Sequence, residues 1–476
     1  MPVNPFENHK DVKSSVIGLK ETFRHLSDGK PLGMFPAGEV STYKDGKLVV
    51  DKPWEEGAIK VIRKAQVPVV PIYFHAKNSG LFYLLSKINS TLRTAKLPSE
   101  LFSQKDRVIK VRIGKPISVN EQNEYKTIED YSEFLRKKTY MLANSFNKEN
   151  KLLTVPNLKP HKSPKKIVTP ANEEAMIAEV AKLRETDCRY FQSKNYEVFF
   201  TEATNIPNIL HEIGRLREVT FREIGEGTNR AIDLDRFDAS YQHLILWDHG
   251  AKQILGAYRL GFGPDLVETA RLRGFYLRDF FKFKKEAIPF LSQCLEMGRA
   301  FVIPEAQQKP LPLFLLWKGI VHVLVRHSDR LRYVVGSVSI SNSYSKHSQA
   351  VMLAFVKHHF ADRKWSPYIK SRKKFKLRLR KEDRTFIESS SPADVQQFDR
   401  MISDMEPQGL RMPVLIKRYV GQNARVIAFN RDPDFNTVDA LMYMDVLDLP
   451  EATLQPVLEE LKALNPLPGV EGEDQA

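Results

Sequence analysis

The sequence predicts an α/β protein of two domains, and three observations predict it. The chain has 476 residues, more than one hydrophobic core ordinarily serves. Apolar residues make up 42% of the chain, which indicates folded domains. Helical periodicities alternate with short apolar runs on both sides of a segment rich in proline and lysine. We therefore expect an N-terminal domain, a linker, a second domain and an acidic tail, over residues 1–147, 148–175, 176–464 and 465–476.

The helices and strands of the N-terminal domain are predicted from the spacing of apolar residues and from continuous apolar runs. Apolar residues at helical spacing predict three helices, Val16–Leu26, Gly57–Lys64 and Tyr131–Phe146. Continuous apolar runs predict three strands, Leu32–Phe35, Val67–Phe74 and Val108–Ile113. The middle strand of these three is strongly apolar and is expected to be buried. Helices that alternate with such strands indicate a layered α/β domain.

The second domain is predicted to be richer in strands. A strand ending at Val198 and Phe199 precedes a helix, Ile206–Phe221. Leu244–Trp247 and Gln253–Leu260 predict a hairpin, because two apolar runs flank a short polar turn. The order then continues as strand, helix, strand and helix, over Cys294–Val302, Leu313–Arg326, Tyr333–Ile340 and Ser348–Phe360. A mixed sheet covered by helices is expected.

The charge balance is strongly basic. Lysine and arginine number 73 against 58 aspartates and glutamates, a formal net charge of +15. This excess favours an anionic partner, which can be nucleic acid, an anionic membrane or an acidic carrier protein. The two cysteines, Cys188 and Cys294, lie far apart without metal-ligand spacing, so we interpret them as small apolar residues in a reducing compartment.

Membrane-spanning segments are not predicted. The start of the chain lacks the apolar core of a signal peptide, and no window of about 18 apolar residues occurs. The nearest candidate, Leu311–Val325, is interrupted by Lys318 and His322. We therefore expect a cytoplasmic protein, peripheral at the inner face of the cell membrane.

An ordered set of polar motifs spans the middle of the second domain. It consists of an R-x-x-x-F pair, a D-x-D-x-x-D cluster, a strand ending in R-L and an E-x-x-R pair, formed by Arg217 and Phe221, Asp233, Asp235 and Asp238, Arg259, and Glu296 and Arg299. In this order, Tyr196–Leu461 resembles the bacterial ornithine-lipid and glycine-lipid N-acyltransferases called "hemolysin-like". It is more distantly similar to N-acyl-homoserine-lactone synthases, and this implies a GNAT-like mixed-sheet domain.

Glu296 is the candidate catalytic base, with Arg299 beside it. An amine that attacks a thioester must lose a proton, and a nearby carboxylate acting as base contributes about 10²–10⁴-fold. Gly298 follows on the same predicted strand, and its missing side chain leaves room for a substrate. The alternative is a structural ion pair between Glu296 and Arg299.

The aspartate cluster and its arginines are candidate substrate-binding residues. Asp233, Asp235 and Asp238 are interpreted as recognising a cationic amine and ordering a loop. The alternative is helix capping and turn formation, which is common for aspartate. Arg217 and Arg259 at family-like places favour a buried charge network, with Phe221 on the same helix as Arg217.

The strand Val335–Ser341 is the candidate binding site for the acyl donor. The resemblance implies that the pantetheine arm pairs with a splayed strand here, near Ser337, Ser339 and Ser341. The polar segment that follows opens a helix, which suits an anion. Because no glycine-rich pyrophosphate loop is evident, we expect the phosphopantetheine thioester of an acyl carrier protein as donor, with no other cofactor and no metal. An ordinary core strand is the alternative.

A basic run follows this helix. Trp365, Tyr368 and Phe375 are interleaved with eight cationic residues, Lys370, Arg372, Lys373, Lys374, Lys376, Arg378, Arg380 and Lys381. Such a run is usually a solvated face, but anionic lipid attracts each basic residue by about 1 kcal/mol. The same residues suit an acidic carrier protein. No nucleic-acid-binding motif accompanies them, so no nucleic-acid partner is expected.

The N-terminal domain carries a second motif. Phe35, Pro36, Gly38, Glu39 and Ser41 belong to FPAGEVS, and VPVVPIYF follows downstream. Both resemble segments of the phospholipid/glycerol acyltransferases of the lysophosphatidic-acid acyltransferase type, in which the first motif helps bind the acceptor. A proline–glycine turn is the alternative.

The catalytic H-x-x-x-x-D pair of that family has no counterpart. His9, His25 and His75 are followed five residues later by serine, lysine and glycine. We therefore interpret this part as a partial, N-terminally truncated acyltransferase domain fused to the second domain. We predict no O-acyltransferase activity for it.

The resemblances imply a function in amino-acid-lipid biosynthesis. The first hypothesis is an N-acyltransferase that moves a (3-hydroxy)fatty acyl group from acyl carrier protein to the α-amine of an amino acid, ornithine or glycine. The alternative is a glycerophospholipid O-acyltransferase acting through the N-terminal domain. A third hypothesis is a non-enzymatic membrane-binding module. The acceptor and the acyl length stay open.

Overall fold

A computed structural model of the chain forms two compact units. It describes residues 12–44, 48–88, 90–103, 105, 108–146, 164–375, 379, 383–384, 387–388, 390–406, 409–432 and 437–464. Unit 1 comprises Met1–Leu152 and Arg400–Leu410, and unit 2 comprises Leu153–Asp399 and Arg411–Ala476. Most of the predicted linker and the whole acidic tail lie outside the described residues.

Unit 1 is a small α/β unit built around one compact apolar cluster. Its elements are α1 (Val12–Ser27), β1 (Thr42–Lys44), β2 (Leu48–Val50), α2 (Glu56–Ala65), β3 (Ile72–His75), α3 (Gly80–Ile88), α4 (Ser90–Ser103), β4 (Lys110–Ile113), α5 (Val119–Asn123) and α6 (Ile128–Met141). The core cluster is formed by Ile59, Ile117, Tyr131, Phe134 and Leu135. The three predicted helices are confirmed, although the last ends as a 3-10 turn over Leu142–Phe146.

Two of the strand predictions in unit 1 are wrong. Leu32–Phe35 is irregular and leads into a turn. The predicted buried strand Val67–Phe74 is reduced to β3, in which Ile72 and Phe74 are 42% and 49% exposed. Prolines interrupt this run and cannot donate to a strand ladder, so Val69 makes only an isolated bridge to Ile117.

Unit 2 contains a large mixed sheet and many helices. Its elements are α7 (Glu173–Arg184), β5 (Arg189–Ser193), β6 (Tyr196–Glu202), α8 (Pro207–Glu223), β7 (Gln242–Asp248), β8 (Gln253–Phe262), α9 (Gly263–Ala270), β9 (Phe281–Phe283), α10 (Ile288–Leu291), β10 (Cys294–Val302), α11 (Pro304–Gln307), α12 (Pro310–Arg326), β11 (Tyr333–Ser341), α13 (Lys346–Phe360), β12 (Ile369–Ser371), the first part of α14 (Val395–Met405), α15 (Val414–Val420), β13 (Arg425–Asp432), β14 (Thr437–Asp445) and α16 (Glu451–Leu464). From Arg400 onward, the residues of α14 belong to unit 1. Every strand and helix predicted here is confirmed within a few residues.

The main sheet has eight strands in the order β13-β14-β11-β10-β8-β7-β6-β5. The pair β10 and β11 is parallel, and all its other neighbouring pairs are antiparallel. The α/β fold class with a mixed sheet is therefore confirmed.

Strands β10 and β11 part from each other in the middle of the sheet. Their ladder runs from Cys294 opposite Tyr333 to Met297 opposite Gly336 and stops there. Beyond this point β11 continues along β14, whereas β10 continues along β8. The backbone of Arg299 is left-handed, with φ 51°, where the pairing of β10 with β8 shifts register. The parting therefore leaves the facing edges of two strands without a ladder partner.

Helices cover both faces of the sheet. On β8, Gly256 faces α12, because a Cβ built on it would lie 3.0 Å from Leu316. Three residues later, Arg259 points to the other face, toward the loop that follows α8. Alternation along the strand explains the opposite directions. The face of α12 that carries Leu316 and Gly319 packs against the sheet.

Candidate active site

Three arginines and three aspartates meet on the α8 face of the sheet. Arg217 on α8 donates two hydrogen bonds to Asp238, Nη1 to Oδ1 at 2.9 Å and Nη2 to Oδ2 at 3.0 Å. It also donates from Nε to the backbone oxygen of Asp233 at 3.1 Å. Arg259 on β8 lies 2.7 Å from Asp235 Oδ1 and 3.2 Å from Asp238 Oδ2. The network therefore ties the loop between α8 and β7 to the sheet.

Arg299 completes the network from β10. Its Nη2 lies 3.4 Å from Asp233 Oδ1 and 3.6 Å from Asp235 Oδ2. The ring of Tyr276 lies beneath two guanidinium groups, with its centre 4.9 Å from that of Arg259 and 5.5 Å from that of Arg299. Asp235, at 20% side-chain exposure, is the member most open to solvent.

Ion pairing controls the protonation of this network. Burial alone raises the pKa of Asp238, but the hydrogen bonds from Arg217 and the charges of Arg217 and Arg259 outweigh it and lower that pKa to about 2. Three carboxylates and three guanidinium groups balance in charge. The cluster thus has no net negative charge to attract an amine, and the arrangement favours the charge-network interpretation over amine recognition.

Phe221 lies one helical turn beyond Arg217. Its side chain is half-buried, and its backbone oxygen accepts a hydrogen bond from Glu226 N at 2.8 Å. In the described part of the chain, its ring makes no cation–π contact with the three arginines. Its predicted role in substrate binding stays a prediction.

Glu296 lies on β10 near the end of the β10–β11 ladder. It is 1% exposed, Oε2 accepts a hydrogen bond from the hydroxyl of Tyr241 at 2.5 Å, and Oε1 accepts one from Leu277 N at 2.7 Å. Burial raises its pKa to about 7, against hydrogen bonds from Tyr241 and Leu277 and the charge of Arg259, which lower it. A carboxyl group with this pKa exchanges a proton readily near neutral pH.

Tyr241 connects Glu296 to the segment that covers it. Its hydroxyl lies 3.2 Å from Gly274 O and accepts a hydrogen bond from Tyr276 N at 3.0 Å. Burial raises the pKa of the Tyr241 phenol well above its usual range, and Glu296 raises it further. Tyr241 therefore stays protonated and is a fixed donor to the carboxyl group.

The backbone at Gly298 is uncrowded, although the Glu296 carboxyl group itself is closed off from solvent. A Cβ built on Gly298 would meet one atom within 4 Å, a ring carbon of Tyr276 at 4.0 Å. Residues two apart on a strand share a face, so Gly298 lies beside Glu296 along β10. Glu296 is hydrogen-bonded to Tyr241 and Leu277, and Arg299 pairs with aspartates. The alternative ion pair between Glu296 and Arg299 is therefore not formed.

The three predicted donor-binding serines lie on β11 beyond the end of its ladder with β10. The Ser337 hydroxyl is buried without a hydrogen-bond partner among the described residues. Ser339 donates to Asp439 Oδ1 at 2.8 Å, and Ser341 accepts from Ser343 N at 3.2 Å. Helix α13 begins after Ser345, whose hydroxyl accepts from the Ser348 amide. Their role in donor binding stays a prediction.

A second group of carboxylates lies beside these serines, and the sequence analysis missed it. Asp439 Oδ1 also accepts from Thr437 at 3.0 Å. Burial, and then the charge of Asp432, raises the pKa of Asp439 to about 7. Burial, and then Asp439, raises the pKa of Glu226 to about 7. These residues are 213 positions apart in the chain, and no local motif links them.

The FPAGEVS motif in unit 1 forms a turn. Gly38 has φ 66° and donates to Phe35 O at 3.1 Å, and Phe35 is 81% exposed. The Ser41 hydroxyl donates to Asp51 Oδ1 at 2.5 Å, and Glu39 pairs with Lys52. Pro36 O accepts from Glu55 N at 2.8 Å. The geometry favours the turn interpretation, because these side chains are engaged within unit 1.

The two histidines described in unit 1 lack an aspartate partner. His25 contacts Pro31 O at 3.1 Å, and His75 stacks on Phe146 with ring centres 5.1 Å apart. His9 lies outside the described residues. A His–Asp pair for O-acyl transfer is therefore not formed by the part of unit 1 that the structure describes.

The basic run is described only in part. Lys370, Arg372, Lys373 and Lys374 are exposed, and Arg372 Nε donates to Arg278 O at 2.8 Å. Lys376, Arg378, Arg380 and Lys381 lie outside the described residues. Among the described helices, none has the length and apolarity to cross a bilayer. No described group of three or more His, Cys, Asp or Glu residues is placed to hold a metal ion.

Two family models match the chain. Residues 216–317 match an acetyltransferase (GNAT) domain, and residues 5–149 match an acyltransferase. The first range contains the whole arginine–aspartate network and Glu296. The chain therefore carries acyltransferase domains of two kinds, which places it in the transferase class of enzymes.

Curated relatives sharpen this class. A glycine N(alpha)-acyltransferase of Bacteroides thetaiotaomicron is 33% identical over 215 residues, covering 41% of this chain and 61% of the relative. A lyso-glycine lipid O-acyltransferase of the same organism is 30% identical over 115 residues, covering 23% of this chain and 42% of the relative. The chain thus spans less than two thirds of either relative's length. The resemblance to glycine-lipid acyltransferases is confirmed, and the predicted truncation and fusion stay predictions.

A solved structure is also similar. It is the CoA-dependent acyl-homoserine lactone synthase BjaI with SAM and isopentyl-CoA, at 11% identity and a TM-score of 0.27. The match covers 58% of this chain and 92% of that one.

Proposed function

We propose that unit 2 is an N-acyltransferase that moves a fatty acyl group from a thioester to the α-amine of an amino acid, with glycine as the preferred acceptor. The observation that carries this proposal is the position of Glu296, a buried carboxyl group with a pKa near 7, where β10 and β11 part. The preference for glycine over ornithine rests on the glycine N(alpha)-acyltransferase relative. The balanced charge of the Asp233 network agrees with an acceptor that lacks a second amine.

The reaction needs one proton acceptor and one oxyanion site. The amine nitrogen attacks the thioester carbonyl, the N–C bond forms, the C–S bond breaks, and the thiol leaves. The proton lost by the amine passes to Glu296, directly or through one water, and is returned to the departing sulfur or to solvent. Backbone N–H groups on the open edge of β11 beyond Gly336 stabilise the oxyanion.

Substrate reaches Glu296 from the side of Gly298. Because Leu277 N covers one carboxylate oxygen and Tyr241 the other, we expect the segment Tyr276–Asp279 to shift when substrate binds. The donor is the phosphopantetheine thioester of an acyl carrier protein, which the basic character of the chain would attract. The same charge supports a peripheral position on an anionic membrane.

Replacement of Glu296 by glutamine tests the proposal. Purified protein with acyl carrier protein thioester and glycine should form N-acylglycine, and Glu296→Gln should lower the rate by about 10²–10⁴-fold. Glu268→Gln, an exposed carboxyl group on α9, is the matched control and should retain full rate. Gly298→Ala should fold normally, because its methyl group fits, yet should raise KM. An unchanged rate in Glu296→Gln would remove this residue from the mechanism.

A second candidate function is O-acylation through unit 1. The lyso-glycine lipid O-acyltransferase relative supports it, and the absence of an H-x-x-x-x-D sequence from residues 1–147 opposes it. We expect no diacyl product when the purified chain is incubated with an N-acylated lyso-lipid or a lysophospholipid and an acyl donor. Robust turnover in that mixture would revive the candidate.

A further inference from the structure

A cavity of about 580 Å³ in unit 2 lies among α12, α14, α15 and α16. Its wall on α12 is formed by Phe314, Trp317, Lys318 and Val321. These positions follow helical spacing on one face. The size is within the range of about 300–1,000 Å³ that is typical of small-molecule sites.

This cavity is separate from the site around Glu296. Leu316 and Gly319 lie on the face of α12 that packs against the sheet, and the cavity lies on the other face. None of its lining residues belongs to the arginine–aspartate network or to β10 and β11. The proposed acyl transfer therefore does not account for it.

Two buried donors at the cavity have no partner among the described residues. Trp317 is 5% exposed, and its Nε1 makes no hydrogen bond. The buried Nε of Arg418, which also lines the cavity, makes none either. Both groups can only donate, so the partner that they lack is an acceptor. Both atoms are closed off even to water, so a ligand oxygen can satisfy them only when the neighbouring side chains of the cavity wall shift.

The charge of the lining is positive. Lys318 pairs with Glu460 at 2.5 Å, and Lys417 pairs with Asp399 at 2.9 Å, so their charges are compensated. No carboxylate is paired with Arg418 in the part of the chain that the structure describes, and no acidic residue lines the cavity. An anionic group is therefore favoured.

The mouth of the cavity is apolar. Phe314 and Val414 are 50% and 60% exposed there. Exposed side chains of this size beside an apolar wall suit a hydrocarbon chain. The arginine fork matches the two oxygens of a carboxylate.

We propose that this cavity binds a single-chain amphiphile with a carboxylate head group, placing the carboxylate at Arg418 and Trp317 and the chain along Phe314 and Val414. The proposal rests in part on the proposed function, because an N-acyl amino acid has this chemistry and is the product of that reaction. A free fatty acid has the same chemistry. The site would then retain product, or sense fatty acid, outside the catalytic cleft.

Calorimetric titration of the full chain tests the site with three probes. N-palmitoylglycine and palmitate should bind, and the uncharged palmityl alcohol (hexadecan-1-ol) should bind about tenfold or more weakly. Arg418→Met should weaken the binding of both carboxylates at least tenfold and leave the binding of the alcohol unchanged. Trp317→Phe, which keeps the ring and removes the donor, should weaken them severalfold. Arg363→Met, an exposed arginine outside the cavity, is the matched control.

The arms of the titration separate the possible outcomes. Tighter binding of N-palmitoylglycine than of palmitate identifies a product site, and equal binding identifies a fatty-acid site. Binding that is absent, or that is unchanged in Arg418→Met with an intact thermal transition, overturns the proposal. Glu296→Gln should bind both probes as the unaltered chain does, so a failure of the proposed catalysis leaves this test valid.

Discussion

Two buried carboxyl groups on the same face of the unit 2 sheet have very different pKa values. Asp238 is held by Arg217 and Arg259, and its pKa lies near 2. Glu296 accepts from a phenol and a backbone amide, and its pKa lies near 7. Both side chains are almost fully buried. Burial alone therefore does not set the charge; the presence of a close cation does.

This difference separates a structural group from a chemical one. A carboxylate with a pKa near 2 is a poor base at neutral pH, because it holds a proton too weakly. A carboxyl group with a pKa near 7 can take and return a proton during turnover. We therefore interpret the arginine–aspartate network as structural support and Glu296 as the group that exchanges a proton.

The largest expected effect follows from removing the cation. Arg217→Met leaves buried Asp238 with Arg259 at 3.2 Å and without its closest cation, and this should lower the free energy of unfolding by about 3–5 kcal/mol at pH 7. Urea denaturation measures it. Arg363→Met, an exposed arginine, should change stability by less than about 0.5 kcal/mol.

The pH dependence of this loss has a defined sign. The folded pKa of Asp238 is lowered, so its contribution is present above the unfolded value of 3.8 and is lost as pH falls toward 2. The difference in free energy of unfolding between the Arg217→Met variant and the unaltered chain should therefore become smaller below pH 4. A constant gap from pH 7 to pH 3 would contradict the role assigned to this pair.

A smaller effect is expected from removing the phenol. The unaltered chain should lose acyl-transfer rate as pH falls below about 7, because Glu296 becomes protonated. Tyr241→Phe removes a donor to the carboxylate, so the midpoint should move to higher pH, with about a tenfold lower rate at pH 7. Rates measured from pH 5.5 to 9 test this. A midpoint that moves to lower pH would reverse the assignment.

The same pKa has a consequence for stability. The folded pKa of Glu296 is raised, so its contribution is present below the unfolded value of 4.5 and is lost as pH rises through about 7. Glu296→Gln should not show this loss. Denaturation at pH 5 and pH 8 gives an independent measurement of the Glu296 pKa.

The smallest effect is expected at the second carboxylate group. Ser339→Ala removes one of two hydroxyl donors to Asp439, so the pKa of Asp439 should rise further. The free energy of unfolding should fall by about 0.5–1.5 kcal/mol. A titration by NMR of the labelled carboxyl carbon measures the pKa. A decrease in that pKa would show that Ser339 is not a donor to Asp439.

Most elements of unit 2 could be predicted because their patterns are local. Cys294–Val302 was predicted with the bounds of β10, and the helix predicted over Leu313–Arg326 lies within α12. Unit 1 was predicted less well, because prolines shortened Val67–Phe74 and the helices α3 and α4 were not predicted. Local patterns specify an element only where propensity and apolar spacing agree.

The members of the arginine–aspartate network could be predicted from the sequence, and their pairing could not. The sequence indicated Arg217, Arg259 and the aspartates as one set, and the structure brings them together. The sequence left open whether Glu296 pairs with Arg299. In the structure, Glu296 accepts a hydrogen bond from Tyr241 instead. Tyr241 and Asp439 carried no motif, so their roles could not be predicted.

The sequence by itself determined the predicted strands and helices of unit 2 and the polar residues available for chemistry, because periodicity and residue type are properties of neighbouring positions. Tertiary structure alone decided where β10 and β11 part, which arginine pairs with each aspartate, and that Glu296 is buried and forms no ion pair among the described residues. These depend on strand register and on contacts between residues far apart in the chain. A pKa is set by the desolvation and charges that such contacts create.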